Sequence, residues 1–196
     1  MSAFSPEAIL EFWFLPPDDA GFGKKRAEWF TKSASFDQTC RALFEPAVQA
    51  GMNGELNHWA ADDASAESFL ALILLLDQIT RNIYRDDARM VAGDTIALLT
   101  ARKLVASGKD ENLLPVQRAF AYLPFEHSEN LAMQHESLRL FKQLDAFDET
   151  KDMFIYAEKH AVIIERFGRF PHRNDLLGRT SSPEEIEFLT QPGSRF

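Results

Sequence analysis

The sequence predicts an all-α fold organised around one buried helix, and three observations carry that prediction. From Phe69 to Leu76 every residue is apolar, so a helix there has no face suited to water and belongs in the middle of a bundle. Elsewhere apolar residues recur at helical spacing, as in Phe36, Cys40, Leu43, Phe44 and Val48. No segment alternates apolar with polar residues for long enough to form a strand.

The elements follow in order. Ser5-Pro6-Glu7 opens a helix: a capping hydroxyl, proline at the first helical position, and an acid near the positive end. Ile9, Phe12 and Trp13 give that helix its apolar stripe, and Pro16-Pro17 ends it near Phe14. A second helix spans Phe36–Gly51, with a kink or early end expected at Pro46. The central helix is Glu67–Arg85, in which no Gly or Pro intervenes. Its large side chains are worth roughly 1.5–3 kcal/mol each if buried. Asp94–Ser107 is amphipathic and closes at Gly108, and Pro115–Tyr122 is short and helical. Pro124 is expected in the first turn of a long helix reaching Leu144, followed by Glu149–Phe167, which Gly168 and Pro171 break. Ser182-Pro183-Glu184-Glu185 reads as a capping box for a last short helix.

The chain has 196 residues, 45% hydrophobic and 26% charged, which is ordinary for a globular protein. No linker rich in Pro, Gly or Ser divides it, so one domain over 1–196 is expected. With 17 Phe against 3 Tyr and 3 Trp, the core is expected to rest on aromatic packing. A net charge of −9 argues against nucleic acid as a partner, because that affinity comes from neutralising phosphates. Cys40 is the single cysteine, which leaves no internal disulfide or thiolate cluster and favours a reducing cytoplasm. The start MSAFSPEAILEF lacks the features of a signal peptide, and an apolar run of eight residues falls far short of the roughly 20 that span a bilayer. No membrane partner is expected.

The motifs of phosphate loops, dinucleotide folds and nucleophile elbows are absent. His135-Glu136 begins like a zinc-protease helix, but Arg139 stands where the second ligand is needed. His127 and His135, two turns apart on one helix, would lie about 11–12 Å from each other, too far to share an ion. Neither a metal nor a cofactor is expected.

Two polar stretches remain. Asp77, Gln78, Arg81 and Asn82 end the apolar helix abruptly, and as i,i+4 pairs they support one another on one face. Met153, Tyr156, His160, Ile163, Ile164 and Phe167 share a face, which turns His160 toward the core. After it come Arg166, Arg169, His172, Arg173 and Arg179, making this stretch net positive within an acidic chain. Arginine forks of this kind bind carboxylate or phosphate. The competing reading is that they pair with Asp77, Glu126, Glu129 and helix C-termini and only hold the fold. Glu126 and His127, taken to start a helix, are candidates for acid–base work alongside His172.

Ile9-Leu-Glu-Phe-Trp-Phe14, Leu75-Leu-Asp-Gln-Ile-Thr-Arg-Asn82, YLPFEHSE over Tyr122–Glu129, and RFGRFPHRNDLLGR over Arg166–Arg179 resemble the bacterial domain of unknown function 924 family. The resemblance runs along the whole chain. It implies antiparallel helical hairpins like those of tetratricopeptide repeats, and it implies no activity, cofactor or catalytic residue. Ile79-Thr80 stands where that family usually has Phe-Pro, and Ser182-Pro183 where a threonine commonly caps.

The expected site therefore gathers Asp77, Arg81, Glu126, His127, His160, Arg169, His172 and Arg173. Its expected ligand is an anionic small molecule or the acidic end of a peptide. The alternatives are a hydrolase or lyase that uses the same cluster without a metal, with His172, Glu126 or His127 as acid–base, and a purely structural network.

Overall fold

A computed structural model describes residues 4–195, and among these the regular structure is entirely helical. The α-helices are α1 (Pro6–Phe14), α2 (Ala34–Met52), α3 (Ala66–Ile73), α4 (Thr80–Ile83), α5 (Asp94–Ala106), α6 (Pro115–Glu126), α7 (Leu131–Lys142), α8 (Met153–Phe167) and α9 (Pro183–Leu189). Helix α3 packs against α1, α5 and α6, while sequence neighbours pair as α6 on α7 and α7 on α8. No helix among the described residues is long and apolar enough to cross a membrane.

Phe69 through Leu76 are all buried, as the unbroken apolar run requires. Around them the aromatic residues interlock: Phe120 meets Trp13, Phe14 and Trp29 edge-on at centroid distances of 5.6, 5.5 and 4.8 Å. Such edge-to-face pairs add about 0.5–1.5 kcal/mol each beyond area burial. Cys40 lies in this core, where burial, with the nearby Asp37 charge adding, pushes its thiol up to about 12. A smaller cluster of Ile163, Ile164 and Phe170 sits beneath the C-terminal segment.

Four local expectations are corrected. The central helix is not α-helical throughout: Leu74–Ile79 is a π-helical segment between α3 and α4, in which the Thr80 N–H reaches the Leu75 carbonyl five residues back. The Thr80 hydroxyl donates to the same carbonyl at 2.8 Å, so a buried side chain holds the wider turn. Of the kink or early end expected at Pro46, the early end does not occur, since α2 runs on to Met52. Pro124 is interior to α6 rather than first in a long helix, because Asn130 starts α7 by accepting the Ala132 and Met133 N–H groups. Glu126 and His127 therefore finish a helix instead of beginning one, and His127 shares no helix with His135.

One glycine fixes the approach of α5 to the π segment. Gly93 is buried, and a Cβ there would run into the backbone carbonyl of Leu76. The absent side chain lets the start of α5 close onto the π turn and sets Asp94 beside Arg81.

Candidate functional site

The π segment puts a carboxylate where none could be solvated. Asp77 is fully buried, and three partners hold it. Gln78 Nε2 donates to Oδ2 at 2.6 Å, Arg81 Nη1 lies 3.1 Å from Oδ1, and His127 Nδ1 lies 2.8 Å from Oδ1. Burial alone raises this carboxyl, but the Arg81 charge and the His127 contact outweigh it and hold Asp77 well below the usual carboxylate range. An ionised carboxylate only accepts hydrogen bonds, so Nδ1 of His127 carries the proton and Nε2 presents a lone pair. Burial lowers the pKa of the ring, which favours this neutral form. Nε2 makes no hydrogen bond among the described residues, and the side chain stays 14% exposed.

Arg81 bridges outward. Besides Asp77 it reaches Asp94 at 2.9 Å from Nη1 and 3.0 Å from Nη2. Asp94 also faces Arg173, 3.6 Å away, so the π segment, the start of α5 and the Pro171–Arg173 turn converge on one carboxylate. Burial raises the pKa of Asp94 against the pull of Arg81.

Arg173 stacks over Phe170 with its guanidinium carbon 4.6 Å from the ring centroid. The guanidinium donates no hydrogen bond among the described residues, although only 12% of the side chain is exposed. Burial, with Arg81 nearby, pulls its pKa down to about 10.

A second acid–histidine pair lies behind the first. His160 Nδ1 is 2.8 Å from the Tyr156 carbonyl and 3.1 Å from Glu126 Oε1, and its ring is 6.2 Å from that of His127. Burial pushes His160 down to about 3. The Glu126 carboxyl is pushed up to about 8, by burial first and by the Asp77 charge second. Its place at the C-terminal, negative end of α6 acts in the same direction. The cluster therefore sets two guanidiniums, Arg81 and Arg173, against the carboxyl groups of Asp77 and Asp94.

The remaining expected residues are placed around this centre. His172 packs its ring 5.6 Å from Phe170, and burial takes it down to about 4. Arg169 turns to α9 and grips Glu185 with two bonds of 2.6 and 2.8 Å. Arg179 likewise grips Glu129, at 2.6 and 2.9 Å, and Glu129 Oε1 accepts the Phe170 N–H as well. These two forks fasten the C-terminal segment to the bundle. Sequence reasoning missed Asp94 as a member of the cluster. Its signal was the dipeptide Gly93-Asp94 before a helix, which reads as a helix start and nothing more. No group of three or more His, Cys, Asp and Glu among the described residues is arranged to hold a metal ion. A cavity of about 470 Å³ lies elsewhere, lined by Met52, Asn57, Leu72, Ile96, Thr100 and Lys103 among others, and includes none of these residues.

The family described as "Bacterial protein of unknown function (DUF924)" matches residues 9–193. The chain belongs to the DUF924 family. A solved structure of a protein of unknown function from Agrobacterium tumefaciens is similar to this DUF924 chain at 38% identity and a TM-score of 0.80, covering 94% of this chain and 96% of that one. A comparison with curated proteins returns no match.

Proposed function

We propose that this DUF924 protein binds a small monoanion, a carboxylate, at the rim formed by Arg173, Arg81 and His127. The observation that carries the reading is Arg173: a guanidinium with five donors, largely withdrawn from water, that satisfies none of them with a hydrogen bond among the described residues. A half-buried cation held by a 3.6 Å ion pair and the face of Phe170 keeps its hydrogen-bond donors available, and a bidentate carboxylate engages them. Asp77 and Asp94 stand beside the two guanidiniums, and their repulsion grows with the charge of a ligand, which favours a monoanion over a dianion. Exposure of only 16%, 14% and 12% at Arg81, His127 and Arg173 limits what enters to the head group of a ligand.

Calorimetry and thermal shift with benzoate, acetate and inorganic phosphate test this. Benzoate at a hundred times its dissociation constant should stabilise the fold by about 2.7 kcal/mol. For a chain of this size that is about 5–10 °C in melting temperature. The shift should shrink severalfold in Arg173→Gln, and phosphate should bind more weakly than the carboxylates. An equal benzoate shift in Arg173→Gln would place the anion elsewhere.

A further inference from the structure

We infer that the site is also catalytic, with His127 as a general base that hydrolyses esters carrying a carboxylate. This rests on the carboxylate reading above and adds a reaction to it. The inference stands on the Asp77–His127 contact of 2.8 Å, an Nε2 that is unengaged among the described residues, and the Arg173 guanidinium across Asp94. A buried aspartate on Nδ1 fixes both the tautomer and the ring orientation, which is the geometry in which an imidazole takes a proton through its other nitrogen. Asp77 is a positioning residue, since among the described residues its side chain meets His127, Arg81 and Gln78, and it stays ionised throughout. His160 is placed differently: its Nδ1 is committed to the Tyr156 carbonyl and its side chain is 7% exposed.

In the step, Nε2 takes a proton from water as the water oxygen adds to the ester carbonyl carbon. The negative charge that builds on the carbonyl oxygen is met by the guanidinium charges at the rim. The tetrahedral species then breaks its bond to the alkoxy oxygen, and the proton on Nε2 passes to that leaving oxygen. Water and ester become acid and alcohol, the imidazole is restored, and no other reactant is needed. Arg173 holds the carboxylate of the alcohol portion while this occurs.

The probe is 4-acetoxybenzoate, compared with phenyl acetate, the same ester without a carboxylate. The intact protein should hydrolyse 4-acetoxybenzoate with kcat/KM at least about tenfold above that for phenyl acetate, the size of effect a charge-assisted hydrogen bond gives. Benzoate should inhibit competitively. His127→Gln should lower kcat by about 10²–10⁴-fold. Asp77→Asn should lower kcat with little change in KM, the signature of a lost tautomer rather than lost binding. Arg173→Gln should raise KM and erase the preference for the charged ester. Melting curves accompany each variant, and competitive inhibition by benzoate needs no variant at all.

Benzoate binding with no hydrolysis above the His127→Gln level overturns the base and leaves the anion site standing. Hydrolysis that depends on His127 but ignores both the carboxylate and benzoate overturns the anion site and the substrate class together. Equal rates in wild type and His127→Gln on both esters overturn the proposal outright.

Discussion

Glu126 shows how one residue's surroundings set its behaviour with pH. Its carboxyl has a higher pKa in the folded protein, about 8, than its ordinary value of 4.5. A group shifted in this direction stabilises the fold in its protonated form. That contribution is complete below pH 4.5 and is lost as the pH rises through about 8. His160, which faces it, is shifted the other way, from 6.5 to about 3, so its contribution is complete above 6.5 and lost as the pH falls. Asp77, held low, behaves in the same sense as His160 and only in stronger acid. Comparing wild type with Glu126→Gln isolates the first effect, because glutamine keeps the shape and cannot ionise. The melting temperatures of the two should run parallel below pH 4.5 and diverge from there to pH 8, with the variant gaining on the wild type. Parallel curves over the whole range would show that Glu126 titrates as an ordinary glutamate.

At the scale of elements, the π segment and Gly93 work together. The widened turn carries Asp77 toward His127, and the glycine lets α5 close on that turn with Asp94 next to Arg81. Gly93→Ala forces a methyl group against the Leu76 carbonyl and should cost about 1–3 kcal/mol by overpacking. It should also weaken benzoate binding, since Asp94 then moves relative to both arginines. A variant as stable and as tight as wild type would mean that the two backbones can separate freely. Neither device was legible in the sequence. A run of Leu and Ile has the same pattern whether a turn closes over four residues or five, and the deciding contact is Thr80 to Leu75, which is visible only in three dimensions. What the run did reveal was burial, and Phe69–Leu76 meets that expectation. The position of Glu126 is hidden in the sequence for a related reason. Proline is commonest in a first turn, so Pro124 drew the helix start toward itself, while Asn130 was the residue that capped the next helix. The reversal matters chemically, since an acid at a helix start is stabilised in its charged form and one at a helix end is not.

At the scale of the whole molecule, the arginine-rich stretch divides its labour. Arg169 and Arg179 are spent on Glu185 and Glu129, and Arg173 is the one of the three that donates no hydrogen bond among the described residues. The sequence offered binding and bracing as rival readings of one cluster, and composition could not separate them because the forks are chemically identical. Arg179→Ala strands Glu129, which is three-quarters covered, and should cost about 1–3 kcal/mol. Hydrogen exchange should speed up across Phe170–Arg179, whose Phe170 N–H and carbonyl both meet this pair. Unchanged protection there would mean that the segment is held by Phe170 packing alone. Cys40 has a practical consequence at this scale. Its sulfur is sealed within the aromatic core and stays in the thiol form at any physiological pH, so a maleimide finds nothing to react with until the bundle comes apart. Alkylation is then a native clock for global opening, and a second cysteine placed on the surface would take a fluorophore alone.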